Sequence, residues 1–264
     1  MKNKEFSKIQ IFYFFPGIFF CICFILFSSM DSTQGRIYSL SDDIMISMSY
    51  AKTFANTGEL IWYEASERVQ GFTNFLYTIF LSFLHLFNLN PVMNSLFVSV
   101  LNVLIIFAIS LKVTSISMIF SNENKKISYF LGGLIPFQYP LLFWSLRGYE
   151  VGIISLLLIL IIEQIVKYDP NLKDSSKPTI FKIYTLLLFG VLIRIDFVVI
   201  LFGISLYFLI YKVSNFTEFL NLIKFNIFVS FFVILLLLFQ HIYYGDFLPN
   251  TFYLKTGGFS IIEK

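Results

Sequence analysis

The chain has 264 residues, 57% of them hydrophobic and 20% aromatic, with 35 Phe and only 13% charged residues. A soluble domain carries roughly a quarter charged residues and far fewer aromatics, so composition argues against a soluble globular fold. The net charge of +3 is too small to point to a nucleic-acid partner.

Apolar runs approaching the roughly 20 residues that cross a hydrocarbon core recur along the chain, which predicts an all-α polytopic membrane protein. The first, from about Ile9 to Met30, follows Lys2, Lys4 and Lys8. It is longer than a signal-peptide core and has no clear small-residue cleavage site, so it reads as an uncleaved span with a cytoplasmic N-terminus. Cys21 and Cys23 lie inside it on different helix faces, which argues against a disulfide or a shared metal site.

Residues 31–71 read as a polar loop on the far side, with Asp31, Asp42, Asp43, Glu59, Glu64 and Glu67 set against Arg36, Lys52 and Arg68. In the stretch that follows, Phe72, Phe75, Leu76, Ile79, Phe80, Phe83 and Phe87 recur at steps of three and four. Asn74, Thr78, Ser82 and His85 hold the other face. That pattern predicts an amphipathic helix over 72–88, lying in a membrane interface rather than crossing it.

Later spans are expected near 92–120, 127–146, 151–166, 180–195, 196–211 and 225–244. With 72–88 in the interface, twelve of the 19 basic residues face the cytoplasm: Lys2, Lys4, Lys8, Lys112, Lys125, Lys126, Lys167, Lys173, Lys177, Lys182, Lys212 and Lys224. If 72–88 crossed the membrane, every later loop would flip and only seven basic residues would remain inside, so the positive-inside rule selects seven spans plus one interfacial helix. The whole of 1–264 then forms one transmembrane module with an external loop over 31–91. The external side also collects "SLRGYE" (145–150), "RID" (194–196) and "YYGDFLPNTFYLK" (243–255).

These segments carry a resemblance. Asp42-Asp43, Tyr50-Ala51-Lys52, Glu67-Arg68-Val69-Gln70-Gly71-Phe72-Thr73-Asn74-Phe75-Leu76, Gly148-Tyr149-Glu150, Arg194-Ile195-Asp196 and the run from Gly245 to Lys255 follow in order. Together they resemble the polyprenyl-phosphate-sugar-dependent glycosyltransferases of the GT-C fold, and among them the terminal β-(1→2)-arabinofuranosyltransferase type. The resemblance runs from about residue 38 to 256. Gln70 stands in place of an acid, Tyr77 in place of Trp and Ile195 in place of Pro. Such enzymes continue past the "LPNT" segment with more helices, so the resemblance also implies that this chain is part of a longer or shortened product.

The resemblance implies a GT-C-like fold with external interfacial helices. The enzyme would lie in a bacterial inner membrane and move a sugar from a polyprenyl phosphate to a glycan or glycolipid acceptor of the cell envelope. It implies Asp42 as general base, with Asp43 orienting it, binding acceptor hydroxyls or helping to hold a divalent cation. A carboxylate can take the acceptor's hydroxyl proton, and two acids buried together raise each other's proton affinity. Lys52, Arg68, Asn74, Arg147, Glu150, Arg194, Asp196, Asp246, Asn250 and Lys255 become the candidate substrate-binding residues, with Arg147, Arg194 and Lys255 as the cations for phosphate. No cofactor beyond that possible cation is implied, and no Gly-rich phosphate loop supports a nucleotide donor.

Plainer readings stand beside these. Asp42 and Asp43 can cap a juxtamembrane helix. Arg147 and Glu150 can pair across one turn, and Arg194 and Asp196 can mark a hairpin tip. Glu163 and Lys167 can snorkel from a helix end, and His241 can sit at the interface. Two other functions also remain: a transporter or flippase of lipid-linked sugars, which calls for mid-membrane charge and broken helices, and a non-catalytic membrane subunit of a shortened enzyme.

Overall fold

The computed structural model describes residues 8–33, 35–38, 40–121, 124–167 and 176–256. Lys2, Lys4 and Lys173 lie outside them, as do the side chains of Lys8 and Lys177. The fold is all-α apart from a small antiparallel hairpin of β1 (Met30–Ser32) and β2 (Gly35–Ile37). Its contacts group into two compact units.

Unit 1 holds residues up to Ile44 and 89–167. It contains α1 (Lys8–Phe27), the hairpin, the first residues of α2 (Asp42–Thr57), α4 (Pro91–Phe120), α5 (Lys125–Gly133), α6 (Tyr139–Leu146) and α7 (Val151–Lys167). Unit 2 holds 45–88 and the chain from 168 onward. Its elements are the rest of α2, α3 (Phe75–His85), α8 (Ser176–Ile193), α9 (Val198–Tyr211), α10 (Phe216–Tyr244) and α11 (Asn250–Thr256).

Two helices, α4 with 30 residues and α10 with 29, are long and apolar enough to cross a membrane. Both starts are set by local chemistry. Asn90 accepts from the Met93 amide ahead of α4, with Pro91 in the first turn, and Asn215 accepts from the Glu218 amide ahead of α10. These side chains satisfy amides that a helix N-terminus leaves orphaned. At the other end of α10, Gly245 takes the left-handed conformation and closes the helix.

The two long helices differ in what they bury: α10 buries chiefly Leu222, Val229 and Leu236, whereas α4 buries small polar residues beside Val98, Ile106 and Ile109. Helix α4 buries Asn94, Ser95, Ser99, Asn102, Ser110 and Thr114 and exposes Phe97, Val100, Leu104 and Ile119. Small polar residues let helices approach closely where the surroundings are apolar. The closest approach is at Gly132 of α5, where any Cβ would run into the Thr114 hydroxyl and lie 2.7 Å from the Ser110 carbonyl oxygen. Unit 2 has a comparable polar joint: the Tyr184 hydroxyl, the Ser205 hydroxyl and the Asn226 amide join α8, α9 and α10 in a closed triangle.

Four expectations change. The segment 127–146 is not one helix, because α5 ends at Gly133, a short 3-10 turn follows over Ile135–Phe137, and α6 begins only at Tyr139. Pro136 and Pro140 cause the break, since each lacks an amide and clashes with the preceding turn. The amphipathic helix is shorter than 72–88, and its polar stripe faces inward: Thr78 and Ser82 are buried while Phe80, Phe83 and Phe87 are exposed. Helix α10 begins well before 225.

Finally, Glu163 does not snorkel. It is buried and accepts from Lys112 Nζ at 2.8 Å and Lys167 Nζ at 2.6 Å. A buried carboxylate is retained only when paired, and Lys112, inside α4, supplies that pairing rather than serving as a loop charge.

Gly132→Leu should therefore lower thermal stability, by about 1–3 kcal/mol for an overpacked contact. A thermal melt of the purified protein in detergent checks it. Phe130→Leu, on an exposed position of the same helix, should change little.

Candidate active site

Asp42 and Asp43 form the first turn of α2, where negative charge meets the positive end of the helix dipole. Both are exposed, so the shared burial invoked for them from the sequence is absent. What the fold adds is a partner. Helix α6 ends at Leu146 with Arg147 as its C-cap, and Gly148 turns the chain with φ +93°. A Cβ there would lie 2.8 Å from Leu40 Cδ2 and 3.2 Å from Ile44 Cγ1, so only glycine lets this turn press against the start of α2.

The turn presents Tyr149, whose hydroxyl donates a long hydrogen bond of 3.4 Å to Asp43 Oδ2. Its ring is fixed edge-on by Trp144, with centroids 5.0 Å apart. The Tyr149 phenol is pushed above its ordinary range, chiefly by burial, and the Asp43 charge adds to this while a contact with Ser41 offsets it. Tyr149 is thus a protonated donor at neutral pH.

Glu150 is buried at 2% exposure beside it. Arg147 lays its guanidinium over the Phe143 ring at 4.5 Å, and among the described residues its buried Nε has no hydrogen-bond partner. The pairing of Arg147 with Glu150 across one turn does not form. Unit 1 therefore gathers the acid pair, Tyr149, Glu150 and an arginine whose charge no described acid neutralises.

Unit 2 gathers the other motifs. Tyr50 ties the loop before α3 to α2, accepting from the Gly71 amide at 3.1 Å and donating to the Val69 carbonyl. Tyr243 and Tyr244 clamp one residue of the same loop: the Leu60 amide donates to Tyr243 at 3.0 Å, and Tyr244 donates to the Leu60 carbonyl at 2.9 Å. Asn74 is buried, and its Oδ1 accepts from the hydroxyls of both Ser47 and Thr78 at 2.9 Å. That use of the acceptor explains why Asn74 does not cap α3.

Lys52 is exposed on α2. Arg68 is exposed too, paired with Glu59 at 2.9 Å and lying 4.8 Å from the centre of the Tyr243 ring. An exposed pair of this kind contributes little stability.

Arg194 and Asp196 meet at the turn between α8 and α9 through two parallel bonds, Nε to Oδ1 at 3.1 Å and Nη2 to Oδ2 at 2.9 Å. The turn is braced by Phe197, whose ring occupies the space where a Cβ at Gly190 would be. Arg194 and Asp196 line a cavity of about 270 Å³ with Thr73, Gln240, Phe247 and Pro249. Three of the sequence motifs therefore share one cavity. The Asn250 amide, bonded to the Gln70 carbonyl at 2.8 Å, holds two of those segments together. Asp246 and Asn250 are exposed, and the Lys255 side chain lies outside the described residues.

Sequence reasoning passed over Tyr50, Tyr149, Tyr243, Tyr244 and Gln240. The first four sit inside the quoted motifs, and Gln240 is the one amide in "VILLLLFQ", so each left a trace. Among the described residues, no three His, Cys, Asp or Glu side chains come together as a metal-binding group. The divalent cation considered for Asp43 would have Asp42 and Asp43 as its described carboxylates, and no step is derived through one.

His85, at the end of α3, is held below the ordinary imidazole value of 6.5, first by burial and then by the charge of Lys52. The unfolded chain therefore binds the extra proton, and the stability that neutral His85 contributes is present above 6.5 and lost as pH falls below it. Melting temperatures measured from pH 7 down to ~5 should fall less steeply in His85→Gln, which carries no titrating group there.

Comparison with protein-family models, with curated proteins and with solved structures gives no match for this chain.

Proposed function

We propose that this chain is a membrane glycosyltransferase of GT-C type, moving a sugar from a polyprenyl phosphate to a glycan or glycolipid acceptor. One observation carries the reading: Gly148 and Tyr149 bring a second motif onto the exposed acid pair that opens α2. Capping alone does not require a tyrosine donor on Asp43.

In the reaction, an acceptor hydroxyl attacks the anomeric carbon of the donor. The new carbon–oxygen bond forms as the bond from that carbon to the lipid phosphate breaks, and the hydroxyl proton passes to Asp42. Asp43 is engaged by Tyr149, whereas Asp42 makes no hydrogen bond or ion pair with another described side chain. Asp42 is therefore the carboxylate left to act as general base, and Asp43 the one that is held. Charge on the leaving phosphate needs a cation that is not already matched. The fork of Arg194 is taken by Asp196, so Arg147 is the better choice.

The small polar residues on the buried face of α4, with Phe97, Val100 and Leu104 exposed, support a bilayer as solvent. We place the chain in a bacterial inner membrane with seven crossings, a cytoplasmic N-terminus and α3 in the external interface. The inward polar stripe of α3 and its outward Phe80, Phe83 and Phe87 suit that position. A transporter reading draws on the broken helix at Pro136 and on buried Glu163. Two lysines already neutralise that acid, which leaves it little capacity to carry a coupled ion.

Transfer from a radiolabelled polyprenyl-phosphate sugar would be measured in membranes carrying the chain. Asp42→Asn keeps size and helix capping and should lose about 10²–10⁴-fold in rate at unchanged membrane levels. Normal transfer by that variant would remove Asp42 from the reaction, and translocation of the lipid without transfer would favour the transporter. The topology has its own check. A cysteine at Ser66 should react with a membrane-impermeant thiol reagent in intact cells, and one at Asn124 should be shielded; the reverse pattern would overturn the orientation.

A further inference from the structure

We infer that the unit 2 cavity beside the α8–α9 turn is a subsite for a single neutral sugar ring, and that Gln240 determines which ring it takes. The inference rests on the transferase reading for its reaction, but its evidence is separate.

Gln240 lies in the last turns of α10 and is only 5% exposed. Among the described residues its side-chain amide makes no hydrogen bond, yet its polar atoms are not sealed off; the side chain forms part of the cavity wall. A buried amide without a partner is costly, and almost every buried polar group in a folded protein finds one. Unlike Tyr184 or Asn226, which are satisfied by neighbouring helices, Gln240 faces a space that a ligand can enter.

The rest of the wall selects the ligand's chemistry. Arg194 is matched by Asp196 in a two-bond pair, so the wall presents no unopposed cation for a phosphate or carboxylate. Thr73 and Thr251 add hydroxyls, Phe247 and Phe252 add aromatic rings, and aliphatic residues such as Val191 and Leu236 complete the wall. Phe247 is held flat against His241, with ring centroids 4.2 Å apart and planes 4° from parallel. An amide, a hydroxyl and a neutralised ion pair offer both donors and acceptors, as sugar hydroxyls require, while aromatic faces suit the C–H side of a ring. Pockets for drug-sized ligands run from about 300 to 1,000 Å³. At about 270 Å³ this cavity lies just below that range and has room for one ring.

The test is saturation-transfer NMR on the full chain in lipid nanodiscs, with methyl α-D-arabinofuranoside, methyl β-D-glucopyranoside and methyl α-D-mannopyranoside as probes. At least one should receive saturation from the protein. Its affinity should fall about tenfold in Gln240→Leu, the loss of roughly one hydrogen bond. The melting temperature of that variant should hold or rise, because leucine suits an apolar helix and removes an unpaired amide; a structural glutamine would show the opposite.

The inference is overturned if no probe binds, if Gln240→Leu binds equally well, if binding and thermal stability are lost together, or if inorganic phosphate displaces the glycoside. The two readings separate cleanly. Glycoside binding that needs Gln240, in a chain that transfers no sugar, would end the transferase reading and leave the subsite. Transfer whose KM and sugar preference ignore Gln240→Leu would end the subsite alone.

Discussion

A chain with so few charged residues must satisfy its buried polar groups mostly from uncharged side chains, and much of the structure follows from that constraint. Tyrosine carries a large share of the burden, because one side chain supplies apolar area and a hydroxyl that can donate and accept at once. Tyr50 spans two backbone groups of the loop before α3, and Tyr243 and Tyr244 take both polar groups of Leu60. A loop that would otherwise expose or bury orphaned amides is thereby fixed against helical elements. The same logic explains why Tyr184, Ser205 and Asn226 close on one another, while the buried charge of Glu163 takes two lysines.

Where the constraint is relaxed, function is the natural place to look. Arg147 Nε and the Gln240 amide are polar groups that the described residues leave without a hydrogen bond. Each lies beside motifs singled out from the sequence, and each has a distinct character. Arg147 keeps an unopposed positive charge over an aromatic ring, which suits a developing anion. Gln240 offers a neutral donor and acceptor in a wall whose one ion pair is already matched. On the proposed reading, Arg147 would meet the charge and Gln240 would meet the ring.

At the acid pair a local rule and the proposed site coincide. Asp42 and Asp43 would stabilise the first turn of α2 in any protein, and nothing in their own positions distinguishes capping from chemistry. What favours the proposed chemistry is Gly148, whose positive φ and tight contact with Leu40 and Ile44 leave no room for another residue. That turn costs backbone entropy, and its result is a tyrosine hydroxyl on Asp43.

By itself the sequence determined the all-α character, the long apolar helices α4 and α10, the amphipathic pattern of α3 and the segments that carry the motifs. These depend on composition, helical period and capping residues such as Asn90 and Asn215, all of which act within one or two turns of chain. The break at Pro136 was equally local and was legible, but an apolar run masks it when hydropathy alone is counted. Tertiary structure decided the rest: that the polar stripe of α3 points inward, that Lys112 belongs to Glu163, that Tyr149 reaches Asp43, and that Arg194 is spent on Asp196. Each of these joins residues that the chain order leaves undecided, or chooses between partners of similar chemistry. Such a choice is made by packing and desolvation in the folded chain, and no local pattern encodes it.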